Sequence, residues 1–291
     1  MADRRWALCA GPLKAMPEGE LGRRSSRAPL RWTTARIVRA MTTSLHEITR
    51  FLDEHLRVRD IPDEPNALNG LQVEATQEVG RIACAVDATE SSIEEACRLR
   101  ADLLLVHHGL FWSGHRPIVG PHARKIGRCF GSGLSVYSAH LPLDVHPEHG
   151  NNAGLVKALG LTADGTFGRY QDLDIGLTAA CDWTSAQLLE KVRAAVGPCK
   201  LAGRGPDRIR RVGVVSGGGG SFASGAARAG LDALLTGEGA HHTALEAEER
   251  GVHLLLAGHY RTETFGVKAL GELLAGRFGL PWSFVEHDTG L

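Results

Sequence analysis

Histidine and carboxylate residues follow four apolar segments of this 291-residue sequence, at positions where they could bind metal ions or transfer protons. In chain order these residues are His107 and His108, then His140 and Asp144, then Glu238, His241 and His242, and finally His259 and Glu263. Mixed imidazole and carboxylate ligands suit Zn, Mn, Fe, Co or Ni. Because catalytic groups of open α/β sheets collect at the carboxyl ends of strands, we expect these side chains to lie near one another.

Two of these pairs have an informative spacing. If a helix begins near Tyr260, His259 and Glu263 are four residues apart on the same side of its first turn, and could share one cation or bridge two. His107 and His108 would point to opposite faces of an extended strand, so we expect the chain to bend there, with Gly109 giving the freedom to do so. One histidine could then serve each of two metal ions.

Structural alternatives exist for these histidines. A single buried histidine usually pairs with a backbone carbonyl, and this is our interpretation of His46, His55 and His253. The doubled histidine taken alone is compatible with packing and with ligation. Its combination with histidine and carboxylate at three other strand ends favours a metal site.

Apolar segments alternate with helical patterns from Met41 onward, which predicts largely parallel sheets with helices on their faces. We predict an α/β fold of two related three-layer lobes, the second inserted in the first. The first lobe would comprise residues 41–150 plus 235–291 and bind the metals, and the second would comprise 151–234.

Residues 1–40 hold nine Arg or Lys against three acidic residues, and we interpret them as a disordered or spurious basic extension, with an organellar transit peptide as the alternative.

Capping boxes are predicted at the starts of two helices. Ser44 with Glu47, and Thr184 with Gln187, have the spacing at which each side chain can bind the backbone N–H of the other residue.

The glycine run "SGGGGS", residues 216–221, has two interpretations. Exposed backbone N–H groups at a helix start could bind phosphate, but the Lys-Ser/Thr of a P-loop is absent. We favour a tight strand-to-helix turn. Ser216 and Ser221 are poor candidates for a nucleophile because neither stands in a G-x-S-x-G sequence.

Composition limits the classes of function. The 33 basic and 33 acidic residues balance, which gives no electrostatic reason to expect nucleic acid or an anionic membrane as a partner. No apolar run reaches the roughly 18 residues that span a bilayer.

The six cysteines include no C-x-x-C pair, so we expect buried thiols of a reducing compartment and a cytoplasmic protein.

Five segments, taken in order, resemble the GTP cyclohydrolase I type 2 family, also described as interacting-factor-three-like dinuclear metal-centre hexamer proteins. They are "NGLQVE" (69–74), "LVHHGLFW" (105–112), "SAHLPLDVHPEHGNN" (138–152), "TGEGAHH" (236–242) and "AGHYRTETFGVKAL" (257–270). The resemblance implies a toroidal homohexamer and two divalent metal ions per chain. It places the ligands at His107, His108, Asp144, His259 and Glu263, with Glu263 as a bridge.

The leading functional hypothesis is therefore a two-metal hydrolase that acts on a small molecule, with GTP ring opening as one version. His242 or Glu238 would transfer a proton in that scheme. The alternative is a metal-binding or metal-delivery protein without turnover, or a scaffold whose oligomer matters more than its site.

Overall fold

The computed structural model describes residues 41–112, 114 and 116–290. The strands are, in chain order, β1 (Thr43–Ser44), β2 (Gly70–Val73), β3 (Glu78–Val79), β4 (Ile82–Asp87), β5 (Leu103–His108), β6 (Ser135–Ser138), β7 (Ala163–Tyr170), β8 (Leu173–Thr184), β9 (Lys200–Gly203), β10 (Arg208–Val215), β11 (Ala233–Thr236), β12 (His253–Leu256) and β13 (Trp282–Phe284). The helices are α1 (Leu45–His55), α2 (Glu90–Arg98), α3 (Gly120–Ser132), α4 (Leu141–Asp144), α5 (Asn151–Ala158), α6 (Ser185–Ala195), α7 (Ala223–Arg228), α8 (His241–Glu249), α9 (His259–Thr262) and α10 (Thr264–Phe278). The predicted basic extension, 1–40, lies outside the described residues.

The first sheet has the strand order β13-β4-β5-β6-β2. β13, β4, β5 and β6 run parallel, and β2 pairs antiparallel with β6. Alternate residues of β4 face opposite sides: Ile82 packs in a core with α1 and α10, whereas Ala83 packs in a core with α2 and α3. Helices therefore cover both faces, as a buried parallel sheet requires.

The second sheet has the order β7-β8-β10-β11-β12-β9. β10, β11 and β12 are parallel, and antiparallel strands flank them on both sides. One face packs against α5 and α6 through residues such as Leu155 and Leu188, and the other packs against α7 and α8 through Ala226 and Ala247. The chain then returns to the first sheet through α10 and β13. The predicted α/β class, with two three-layer lobes and the second inserted in the first, is confirmed.

The boundaries of the predicted lobes need correction. The predicted first lobe includes residues 235–291, but β11 and β12 pair within the second sheet. The second sheet thus extends to Leu256, beyond the predicted 151–234. Apolar runs such as "HLLL" show that a strand is buried on both faces, but they do not show which of two similar sheets it joins.

The two predicted capping boxes have different outcomes. Thr184 and Gln187 form the predicted box, with Oγ1 of Thr184 accepting the N–H of Gln187 at 3.2 Å. The prediction for Ser44 is wrong, because Ser44 makes no side-chain cap bond. Ser44 pairs with Glu78 between β1 and β3, and the N–H of Leu45 donates to the carbonyl of Gln77.

The described cysteines are free thiols. They are Cys84, Cys129 and Cys199, which are buried, and Cys97 and Cys181, which are half-buried. Cys9 lies outside the described residues.

Across the described part of the chain, no helix combines the length and the apolar character needed to cross a bilayer.

Candidate metal centre

The five predicted metal ligands lie together, and Glu263 is at their centre. Oε1 of Glu263 is 3.1 Å from Nε2 of His259 and 3.5 Å from Nε2 of His107, while Oε2 is 3.5 Å from Nε2 of His108. Oδ2 of Asp144 is also 3.5 Å from Nε2 of His107. His107 and His108 end a strand of the first sheet, whereas His259 follows β12 of the second, so the centre lies between the two sheets.

The other ring nitrogen of each histidine predicted as a ligand is held by an oxygen atom. The Nδ1 contacts are His107 with the carbonyl of Ala139 at 2.9 Å, His108 with Oδ1 of Asp87 at 2.8 Å, and His259 with Oε1 of Glu238 at 2.9 Å. A carbonyl or carboxylate oxygen only accepts, so each Nδ1 carries hydrogen, and in the neutral ring Nε2 is left with a lone pair. Metal-binding histidines in proteins are oriented in this way.

Two atoms of the centre are buried without a hydrogen-bond partner in the described structure: Nε2 of His107 and Oε2 of Glu263. His107 is 0% exposed and Glu263 is 3% exposed. Buried polar atoms without partners are costly, and the donor set of imidazole nitrogens and carboxylate oxygens is one that divalent transition metals bind. These residues therefore fit the implied metal ions.

The pKa values of the side chains in the centre show that positive charge is favoured there. Burial opposes protonation of His107, but Asp144 and Glu263 outweigh it and raise the pKa of His107 to about 10. Burial likewise opposes protonation of His259, whose pKa is nevertheless raised to about 9 by Glu263 and Glu238. Burial would raise the pKa of Glu263, but the neighbouring histidines hold it far below its usual range. Positive charge on these rings, or beside the carboxylates, is therefore favoured.

Asp144 is oriented by two groups that the sequence did not indicate as parts of the site. Nδ2 of Asn151 and Oγ of Ser216 both donate to Oδ1 of Asp144 at 2.9 Å. This arrangement leaves Oδ2 to face His107. Ser216, a poor candidate for a nucleophile from its sequence, thus orients Asp144.

Glycines in two places leave room for the site. Gly217 has a φ of +59°, and a Cβ there would overlap Oε1 of Glu263, so the glycine run lies directly against the centre. Gly109 is not among the residues with positive φ, so the conformational freedom expected of this glycine is not used. A Cβ at Gly109 would instead overlap the side chain of Gln72, whose Oε1 accepts the N–H of Leu110 at 2.7 Å.

Comparison with known proteins identifies the family. A sequence model described as Duf34/NIF3 (NGG1p interacting factor 3) matches residues 43–289. The chain belongs to the Duf34/NIF3 family. A relative from Deinococcus radiodurans named "GTP cyclohydrolase 1 type 2 homolog" is 42% identical over 248 residues, which are 84% of this chain and 94% of the relative.

Solved structures of other proteins share the fold. The structure titled "protein ybgI, unknown function" has a TM-score of 0.80 and 35% identity, over 86% of this chain and all of that one. A Thermus thermophilus protein has a TM-score of 0.76 and 40% identity over the same shares.

His140 belongs to the centre of this NIF3-family chain, although only its position at a strand end was noted from the sequence. Its ring centroid lies 4.9 Å from that of His107, and its Nδ1 donates to Oδ1 of Asp63 at 2.7 Å. Burial alone would raise the pKa of Asp63, but hydrogen bonds from His140 and Asn69 lower it. Asp63 comes from a loop with no periodic pattern, so no sequence signal pointed to it.

The two predicted proton-transfer residues occupy different positions. Glu238 contacts the predicted ligand His259 directly, because its Oε1 accepts the hydrogen on Nδ1 of that ring at 2.9 Å. His242 is exposed on α8, where it lines a depression together with Glu238 and Ser221. His241 is also exposed on α8. The catalytic roles of Glu238 and His242 stay predictions.

Two open clefts reach the centre. The first has a volume of about 500 Å³ and is bordered by Trp112, Tyr170 and Phe222 beside the ligands. The second, of about 560 Å³, is bordered by Asp87 and Tyr260. A larger cavity of about 870 Å³ runs along α1, but its position away from the ligands separates it from this chemistry.

Proposed function

We propose that this chain is a hydrolase that uses two divalent metal ions and acts on a small molecule with a planar ring. The observation that carries the proposal is the shared position of Glu263. One group of side chains consists of His107, Asp144 and Glu263, with 3.5 Å between the facing atoms. A second group consists of His108, His259 and the same Glu263. Two oxygens of one carboxylate can bridge two cations, so the residues support two ions per chain.

When bound, two such ions supply an ionisable water and polarise a carbonyl, ring carbon or phosphoryl group. The role of His140 would be to hold and transfer a proton. Because Asp63 binds Nδ1–H of His140, the opposite nitrogen of the neutral ring is free to accept one. Zn, Mn, Fe, Co and Ni are all compatible with the donor set.

The first cleft supports a substrate with a planar ring. Trp112, Tyr170 and Phe222 offer aromatic surface on which such a ring could pack. Relatives carry the name "GTP cyclohydrolase 1 type 2 homolog", so GTP is one candidate. The described residues that line this cleft include no lysine or arginine, so a triphosphate would depend on the metal ions or on another subunit for positive charge. Comparison of GTP with guanosine as substrates tests that dependence.

The experiment measures metal content and turnover together. We expect wild-type protein to retain two ions per chain after reconstitution and to hydrolyse a member of a panel of nucleotides, nucleosides and phosphoesters. Glu263→Gln should lose at least one ion and all turnover while the chain stays folded. The matched control is Glu272→Gln, which changes an exposed carboxylate on α10. Fewer than one ion per wild-type chain would refute the metal centre. Two ions without turnover in the panel would favour metal storage or delivery.

Proton transfer is tested by a second comparison. His140→Gln should retain both ions and lower turnover by about 10² or more, because general acid–base catalysis contributes 10²–10⁴. If His242→Gln or Glu238→Gln has that effect and His140→Gln does not, the proton acceptor is one of the two residues predicted from sequence.

We further propose that the protein is a homohexamer, as the family resemblance implies, and that it is cytoplasmic, as its free cysteines favour. Exposed apolar side chains on and before α3, namely Ile118, Val119 and Phe130, are compatible with burial between subunits. Sedimentation equilibrium tests this proposal, with a mass corresponding to six chains of 31.2 kDa as the expected result. A monomer at micromolar concentration would contradict it.

A further inference from the structure

A second group of histidines lies outside the centre described above. His55 is the last residue of α1, and His146 and His149 lie in the turn between α4 and α5. All three are half-buried, and one nitrogen from each lies within 4.8 Å of the others. We propose that His55 and His149 form a separate binding site for one divalent transition-metal ion, supported by His146.

The distance between the two proposed donor atoms agrees with metal binding. Nε2 of His55 is 3.2 Å from Nδ1 of His149. Two imidazole nitrogens bound to one tetrahedral ion, each at 2.0–2.1 Å, are about 3.3–3.4 Å apart. In the metal-free protein these nitrogens share a hydrogen bond, so the one that carries the hydrogen would have to lose it when an ion binds. Because the side chains are partly exposed, water could complete the coordination.

His146 supports the site rather than supplying a ligand atom. Its ring packs on that of His55, with 4.4 Å between the centroids. Its Nδ1 accepts the backbone N–H groups of Glu148 at 3.2 Å and His149 at 3.0 Å, so that lone pair is used. These bonds fix the turn that carries His149. The N–H of Gly150, which donates to the carbonyl of His146 at 3.0 Å, fixes it further.

The local charges permit a cation. Burial and the neighbouring His149 lower the pKa of His55, which keeps the ring in the neutral form that binds metals. Glu148 is the acidic group that acts on His55, and it favours positive charge there. Arg277 opposes it, and its guanidinium lies over the ring of Phe51 at 4.2 Å. With these charges offsetting each other, affinity depends on the imidazoles, which suit Cu, Ni and Zn.

The sequence interpretation of His55 as a histidine paired with a backbone carbonyl is replaced by this arrangement, because its Nε2 faces another imidazole. The comparison with His253 is informative. There, Nε2 contacts the carbonyl of Pro206 at 3.0 Å and Nδ1 accepts the N–H of Gly205 at 3.3 Å, as predicted. His46 is exposed beside Glu74, so the interpretation of it as a buried histidine is wrong.

The test is a titration with Cu²⁺ of protein whose Glu263 centre has first been filled with zinc, followed by electron paramagnetic resonance. We expect one additional Cu²⁺ per wild-type chain, with hyperfine coupling to two nitrogens. His55→Gln and His149→Gln should each lower the affinity for this ion at least tenfold. The matched control is His46→Gln, an exposed histidine on the same helix, which should leave the additional copper unchanged.

Two further measurements distinguish loss of the copper site from misfolding and from a change in the first centre. Circular dichroism without copper shows whether each variant folds, and His149→Gln in the partly exposed turn serves if His55→Gln does not fold. Glu263→Gln, which should lose at least one ion from the first centre, should leave the two-nitrogen copper signal in place, so failure of one proposal is distinguishable from failure of the other. Unchanged copper binding in both His55→Gln and His149→Gln would overturn the second site.

Discussion

Nε2 of His107 lies 3.5 Å from Oε1 of Glu263, and both side chains are almost completely withdrawn from solvent. An unpaired charge so buried would be strongly unfavourable, so the carboxylate requires a proton or a metal ion beside it. A metal ion bound there would compete with protons for the same nitrogen atoms. Such competition would make both the stability of the metal-free protein and its affinity for metal depend on pH.

The first prediction concerns pH. The folded-state pKa values of His107, about 10, and His259, about 9, exceed the ordinary value of 6.5. Protonation of these rings therefore stabilises the metal-free protein fully below about pH 6.5, and the effect is lost as pH rises through 9 to 10. Glu263, whose pKa is lowered, stabilises the fold above its ordinary 4.5 and loses that effect in acid. We expect the melting temperature of metal-free protein to fall between pH 7 and 10.

Metal-loaded protein provides the control for that prediction. Its histidines are already deprotonated, so its melting temperature should change less over the same range. Metal binding at pH 7 should release protons, which calorimetry in buffers of different ionisation enthalpy measures. Proton uptake, or no proton exchange, would contradict the raised pKa values of His107 and His259.

A second prediction concerns the glycine run. Gly217→Ala should displace Glu263, because the new Cβ would overlap Oε1 and the positive φ disfavours alanine by roughly 1 kcal/mol. We expect metal affinity to fall at least about tenfold, as measured by competition with a chromophoric chelator. Gly218→Ala is the matched control, since its Cβ would be 3.9 Å from Cε1 of His259, an ordinary contact. Equal affinities for the two variants would contradict the close approach of Gly217 to Glu263.

The elements that carry the ligands could be predicted because their patterns are local. The apolar run of β5 ends at His108, and chemistry at the end of such a strand follows from the geometry of α/β sheets. The four-residue spacing of His259 and Glu263 was also informative, although α9 ends at Thr262 and Glu263 lies at the junction with α10. The helix expected to begin near Tyr260 is therefore two helices, and Glu263 takes its orientation from the break.

The residues that orient the ligands could not be predicted, because they come from distant parts of the chain. Ser216 follows Asp144 by 72 residues, and Asp87 precedes His108 by 21. Single polar residues in loops have no periodicity that marks them. The prediction of which sheet contains β11 and β12 is wrong for a similar reason. Their apolar sequences suit a buried strand of either sheet, and only their neighbours in the fold show which sheet they join.

A third prediction tests one of these orienting residues. Asp87→Ala removes the acceptor that holds Nδ1 of His108 at 2.8 Å, so metal affinity should fall by about 10–100-fold. Asp87→Asn keeps an oxygen that can accept the same hydrogen bond and should recover most of the affinity. Isothermal titration of both variants measures the difference. If the asparagine variant is as weak as the alanine variant, the carboxylate acts through its charge and not by orienting the ring.

A fourth prediction separates the two capping sites, which look equivalent in sequence. Thr184→Ala removes a side-chain bond to the N–H of Gln187 and should lower the free energy of unfolding by about 1 kcal/mol. Ser44→Ala should cost much less, because Ser44 makes no cap bond and is held by strand pairing through its backbone. Urea denaturation of the metal-loaded protein measures both changes. A larger loss for Ser44→Ala than for Thr184→Ala would show that the pairing of β1 with β3 does not determine how α1 begins.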